Sequence, residues 1–248
     1  MSGHSKWSTI KHKKAATDAK RGKVFTRIAK EITISARSGG GDPETNNALR
    51  LMISKAKAAN MPKDNIEKAI MRGTGELAGG ELVEVTYEVY APHGIGILVE
   101  TVTDNRRRAI ADVRHTVSKF GGNMADAGSV AWQFTRKGYI GITSEVDEDE
   151  LFLIAADAGA EDIEFGEITE IFCDLEDFQS VQLALEEAGI VMDEANVVYD
   201  PNNAMELPQD QATQVMNLIE KIEDLDDVQN VYSTLEVTDE AIAAMEVA

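Results

Sequence analysis

The chain has 248 residues, 43% of them apolar, and carries a formal net charge of −20. That length suits one large domain or two to three small ones, and the apolar share can fill real cores. A single cysteine excludes an intramolecular disulfide and any cysteine-based zinc site.

The charge is segregated. Residues 1–76 hold 16 Lys/Arg against 7 Asp/Glu, net +9. Residues 77–137 balance at 7 against 7, and residues 138–248 hold one Lys against 30 Asp/Glu, net −29. Such asymmetry predicts a polyanion-binding end on an anion-repelling body. The start Met1-Ser2-Gly3-His4-Ser5-Lys6-Trp7 has no apolar secretory segment. No run reaches the ~18 apolar residues that span a bilayer. A cytoplasmic protein with no membrane partner is expected.

Residues 1–15 show no apolar period and read as a basic arm bearing Lys6, Trp7, Lys11, His12, Lys13 and Lys14. A helix is predicted over 16–37, with Phe25, Ile28, Ala29, Ile32 and Ala36 on one face. Lys20, Lys23, Arg27, Lys30 and Arg37 fall on the opposite face, Arg21 flanks the apolar stripe and Ile34 interrupts the basic one. After Gly39-Gly40-Gly41, Asp42-Pro43-Glu44 predicts a second helix start, with Asp42 as N-cap. Its stripe is Leu49, Met52, Ile53 and Ala56. Asn60-Met61-Pro62 breaks it, and a third helix is expected over 62–72 with Gly73 beyond its C-terminus.

Strands are then predicted at 82–90 and 95–102, a helix from Asn105 to Phe120, and a strand at 129–135. Residues 138–200 read as strand 138–143, helix 147–158, strands 161–166 and 168–174, helix 176–188 and strand 195–200. This β-α-β-β-α-β order belongs to ferredoxin-like folds. Residues 208–234 add a helix and a strand. The expected fold class is α+β: an N-terminal three-helix bundle plus two α/β (ferredoxin-like) domains, one inserted in the other. The expected divisions are 1–78, a split unit of 79–136 with 205–248, and an inserted acidic unit of 137–204.

The candidate site is for nucleic acid. Ten Lys/Arg in the first 38 residues, against Asp18 and Glu31, can neutralise phosphates and release counterions. Trp7 among them could stack on a base. The proposed contacts are Lys6, Trp7, Lys11, His12, Lys13, Lys14, Lys20, Arg21, Lys23, Arg27 and Lys30, with a second cluster at Arg106, Arg107 and Arg108. Three arginines in a helix's first turn oppose the macrodipole but can make an anion site. They can equally pair with the acidic C-terminal third, and both readings stand. The runs Asp147-Glu148-Asp149-Glu150 and Glu223-Asp224-Leu225-Asp226-Asp227 lack a calcium-loop pattern and read as solvated helix starts and turns.

No catalytic constellation stands out. The four histidines lack metal-ligand spacing, no Gly-x-Ser-x-Gly occurs, and the glycine runs lack a P-loop ending. No cofactor, metal or enzymatic activity is expected. Cys173, in the apolar run Ile171-Phe172-Cys173, is expected to be a buried, inert thiol.

Several segments carry a resemblance. Gly3-His4-Ser5-Lys6-Trp7, Lys11-His12-Lys13-Lys14-Ala15-Ala16 and Asp18-Ala19-Lys20-Arg21-Gly22-Lys23 resemble the N-terminal signature of the YebC/PmpR family. Gly39-Gly40-Gly41-Asp42-Pro43, Asn60-Met61-Pro62, Thr103-Asp104-Asn105-Arg106 and Arg114-His115 to Gly121-Gly122-Asn123 match further segments in order. The resemblance implies three domains led by a helical bundle, and a cytoplasmic, non-enzymatic regulator of gene expression. The family has been classed as DNA-binding transcriptional regulators. It has also been linked to translation, through bacterial members acting on ribosomes stalled at proline runs and a mitochondrial translational activator. Arg107 stands where the family suggests Asn, and Ala91 and His93 where it suggests glycines. The implied partner is DNA, or ribosomal RNA within the ribosome. The absence of a helix-turn-helix pattern and a body of −29 lean towards RNA in a large particle. The alternative reading is an acidic adaptor that binds a basic protein.

Overall fold

The computed structural model describes residues 18–78 and 80–238, the side chains of 18–21 excepted. It is an α+β fold: three N-terminal helices, then two four-stranded antiparallel sheets with helices packed on them.

The bundle comprises α1 (Asp18–Gly39), α2 (Asn47–Ala58) and α3 (Lys63–Gly73). The apolar stripes meet as the periodicity predicts: Ile28, Ile32 and Ala36 of α1 pack with Leu49, Met52 and Ala56 of α2 and with Ile66 and Ala69 of α3. The second helix starts later than expected. Its N-cap is Asn46, whose Oδ1 accepts from Leu49 N at 3.0 Å, while its Nδ2 donates to Ser35 O and Gly40 O. Asp42 instead closes the preceding turn by accepting from Glu44 N. Gly73 is the last residue of α3, and the left-handed position is Gly75, at φ 83°. Gly73 is needed for contact: a Cβ there would lie 2.7 Å from Ala36 Cβ and closer still to Thr33 O. Its missing side chain lets α3 lie against α1.

The first sheet has strand order β3-β1-β2-β8, from β1 (Val83–Tyr90), β2 (Gly96–Thr103), β3 (Asn123–Met124) and β8 (Val228–Ser233). On one face, α4 (Arg106–Lys119) supplies Val113 and Val117, and α7 (Gln209–Glu223) supplies Val215, Met216, Leu218, Ile219 and Ile222. The second sheet has order β5-β6-β4-β7, from β4 (Phe134–Ile142), β5 (Ala160–Glu164), β6 (Thr169–Cys173) and β7 (Glu194–Pro201). Here α5 (Glu148–Asp157) and α6 (Phe178–Glu187) cover Ile140, Ile142, Ile171 and Cys173. The remaining faces meet through Leu98 and Tyr232 of the first sheet and Tyr139, Phe172 and Val198 of the second. The order is therefore helices, sheet, sheet, helices. β2 is buried along nearly all its length, with only Glu100 half-buried, because it lies between β1 and β8 with both its faces covered.

The expected strand at 129–135 is a correction. Residues 131–133 form a 3₁₀ turn, and one strand, β4, runs from Phe134 to Ile142, across the expected border at 136/137. The turn is held by Glu88, whose carboxylate accepts from Gly128 N, Val130 N and Ala131 N at 2.6, 2.5 and 2.9 Å. Burial would raise the Glu88 carboxyl, but these bonds and one from Ser129 outweigh it and hold it below the ordinary value. Gly138 inside β4 marks close packing: a Cβ there would meet Cys173 Sγ at 2.8 Å. The two-residue β3 has no periodicity to announce it. No helix among the described residues is long and apolar enough to cross a membrane.

Candidate nucleic-acid interface

The arm residues Lys6, Trp7, Lys11, His12, Lys13 and Lys14 lie outside the described residues, as do the side chains of Lys20 and Arg21. The remaining candidates fall into two groups.

The basic face of α1 is occupied by the chain's own acidic third. Lys23 Nζ donates to Asp224 O at 2.7 Å. Arg27 reaches Val228 O through Nε at 2.9 Å and Glu223 O through Nη2 at 2.8 Å. Lys30 Nζ contacts Asp226 O and Asp227 Oδ1, both at 2.8 Å. Arg37 binds Leu82 O at 2.7 Å. Positions 23, 27 and 30 lie one and two helical turns apart, so one stripe meets one short segment. The last carbonyls of α7 lack intrahelical partners and sit at the negative end of its dipole, which is why cations settle there.

Asp227 is the centre of this joint. Its side chain is 9% exposed. Arg108 approaches Oδ2 through Nη2 at 2.8 Å and Nε at 3.2 Å, and Thr103 Oγ1 donates to the same oxygen at 3.0 Å. Its own carbonyl accepts from Val102 N at 2.8 Å. Burial acts to raise the Asp227 carboxyl, yet hydrogen bonds from Lys30, Arg108 and Thr103 win and hold it below the usual carboxylate range. Within the run 223–227, Asp224 and Asp226 are exposed as the composition suggests, but Asp227 is not. Fixed donors from three elements take up the charge of its carboxylate. Sequence reasoning offered the acidic third as a partner for the Arg106–Arg108 cluster but not for the α1 cations. The usable signal was spacing: a stripe at i, i+4 and i+7 with a dense acidic run elsewhere.

The arginine cluster divides. Arg108 is bound to Asp227 and to Asp104 Oδ1 at 2.9 Å. Arg106 and Arg107 are exposed and make no ion pair among the described residues. Asn105 caps α4, accepting from Arg108 N at 3.1 Å. Arg114, His115 and Lys119 are also exposed on α4.

Between the bundle and the first sheet runs a cleft of about 1340 Å³, bounded by Lys30, Arg37, Arg72, Asp104, Arg108 and Asp227 among others. Cys173 is fully buried, and burial pushes its thiol up to about 11, so it is no nucleophile at neutral pH. His93, where a glycine was expected, takes φ 65° and contacts Gln214 Oε1 through Nε2 at 3.0 Å. The left-handed backbone explains the expected glycine.

Residues 5–76 match the family model described as the TACO1/YebC protein N-terminal domain, and residues 82–235 match that of the TACO1/YebC second and third domain. A probable transcriptional regulatory protein of Acidithiobacillus ferrooxidans is 52% identical over 247 residues, covering 99% of each chain. One from Desulfatibacillum aliphaticivorans is 52% identical over 244 residues, covering 98% of this chain and 99% of its own. One from Chlorobaculum tepidum is 49% identical over 249 residues, covering 99% of each. The crystal structure of a conserved hypothetical protein from Aquifex aeolicus superposes with a TM-score of 0.82 at 41% identity, covering 90% of this chain and 93% of that one. With its whole length matched in this way, the chain belongs to the TACO1/YebC family.

Proposed function

We propose that the chain is a non-enzymatic, nucleic-acid-binding regulator of gene expression, with residues 1–78 as the main binding unit. The observation that carries this is the charge segregation: net +9 in residues 1–76 against −29 in residues 138–248. The name shared by its relatives, probable transcriptional regulatory protein, supports it. The contacts we assign are the basic arm, the α1 face, and Arg106 and Arg107 on α4. Arg108 is excluded, because it is committed to Asp227.

An extended duplex would run past the acidic body and be repelled, whereas RNA within a particle rich in basic protein would not. We therefore favour RNA, with duplex DNA as the alternative target. The test is a salt titration of full-length protein against single-stranded RNA and duplex DNA of equal length. Log affinity should fall linearly with log salt, by about 0.7 per phosphate contacted on a single strand. Binding that ignores salt defeats the reading.

A second reading has one specific observation in its favour. Phe152 and Leu153 are 52% and 63% exposed on α5, whose first turn is Glu148, Asp149 and Glu150. Exposed apolar side chains beside an acidic turn suit a basic protein. Capture of a basic protein that survives Arg106→Ala and Arg107→Ala but not Phe152→Ala would favour this adaptor role.

A further inference from the structure

The face of α1 that the proposed function needs is already covered. Lys23, Arg27 and Lys30 are satisfied by four main-chain carbonyls, of Glu223, Asp224, Asp226 and Val228, and by the Asp227 carboxylate. A phosphodiester backbone offers the same chemistry: closely spaced oxygens carrying negative charge, met by Lys and Arg donors. We propose that residues 223–228 act as an internal stand-in for a nucleic-acid backbone, so that a polyanion reaches the α1 face only by displacing them. This rests on the reading of the chain as a nucleic-acid binder.

Two features make displacement feasible. The joint walls the cleft of about 1340 Å³, so an incoming strand has space beside the contacts it must replace. Arg72 is exposed on that cleft and makes no ion pair among the described residues, so it offers a first contact without breaking any bond. α3 ends at Gly73 and β1 starts at Val83, and between them Gly75 takes φ 83°. The closed form lowers apparent affinity by the fraction of molecules that are open. Weakening the joint should therefore tighten binding, although it removes no contact to the ligand.

The experiment compares wild type, the joint variant Asp224→Asn with Asp227→Asn, and a control, Asp149→Asn with Asp157→Asn. The control makes the same charge change on exposed positions of α5. Each full-length protein is titrated with single-stranded poly-uridine RNA and followed by amide hydrogen exchange. The joint variant should bind about tenfold more tightly, with the control within roughly twofold of wild type. On wild type, RNA should speed exchange at the last turn of α7 and at Val102 N, which is bonded to Asp227 O. If the joint variant does not fold, the wild-type exchange decides alone. RNA binding by wild type with unchanged exchange there overturns the stand-in and leaves the proposed function intact. If neither wild type nor variant binds RNA or duplex DNA, the functional reading fails and the stand-in with it. Binding by the joint variant alone supports both.

Discussion

The bundle is attached to the rest of the chain at two places, and the two differ in kind. At the first sheet, Lys30 and Asp227 are 14% and 9% exposed, and every hydrogen-bonding oxygen of that carboxylate has a donor. At the second unit, Arg50 pairs with Glu186 at 3.0 Å while both remain 46% and 41% exposed, and Lys55 lies 3.9 Å from Glu194. Leu51 adds a partly buried apolar contact there. Both joints set basic against acidic residues. Only the first is desolvated and geometrically completed, so only the first should resist mutation and salt poorly and well respectively. Opposite charge brings surfaces together, while the removal of water decides what breaking them costs.

The largest effect should come from Asp227→Ala. It leaves Lys30, Arg108 and Thr103 without their shared acceptor, and a loss of about 3 kcal/mol is expected, the low end for a broken buried pair because Arg108 is half exposed. Urea unfolding checks it, as a lower midpoint with unchanged slope. Arg27→Met should follow. It keeps much of the aliphatic packing but strips donors from Val228 O and Glu223 O, at about 2 kcal/mol for two charge-assisted bonds.

Acid should reproduce part of the first result. The Asp227 carboxyl is held below its unfolded value, so its contribution is present above the ordinary carboxylate pKa and is lost as pH falls through the depressed folded one. The difference in urea midpoint between wild type and Asp227→Asn should therefore be full at neutral pH and shrink on acidification. A constant difference would show that the charge is not what the joint uses. Arg50→Ala, by contrast, should change stability by only about 0.5 kcal/mol, and that small change should vanish at high salt. An Arg50 effect as large as that of Asp227 would erase the distinction between the joints.

Much of the fold was legible. Period-3.6 stripes located α1, α2 and α3, and the β-α-β-β-α-β order of residues 134–201 could be read from alternation and turn residues. The misreadings share a cause. Asp42 looked like a helix cap and the 129–135 run like a strand, because local chemistry favours both. Asn46 overrode the first by tying the start of α2 to the end of α1, and Glu88 overrode the second with bonds from a strand forty residues away. The candidate site was half legible for the same reason. A stripe of cations is visible in sequence, but whether it faces water or Asp227 depends on where α7 ends in space. Trp132, 70% exposed on the turn that Glu88 holds, was passed over because no motif surrounds it.

The pairing of β2 with β8 has a consequence for synthesis. Ile97 to Thr101 align with residues 228–233, which leave the ribosome only after the whole second sheet has been made. Phe134 and Pro201 are paired neighbours, so that intervening sheet can close on itself while β8 is still absent. During the interval, the Ile97-Leu98-Val99 edge is unpaired, and such an apolar edge is prone to recruit other chains. The residues just before β8 also deliver Asp227 to α1. A chain cut short before residue 223 would therefore carry two unsatisfied surfaces, one sticky to strands and one sticky to polyanions.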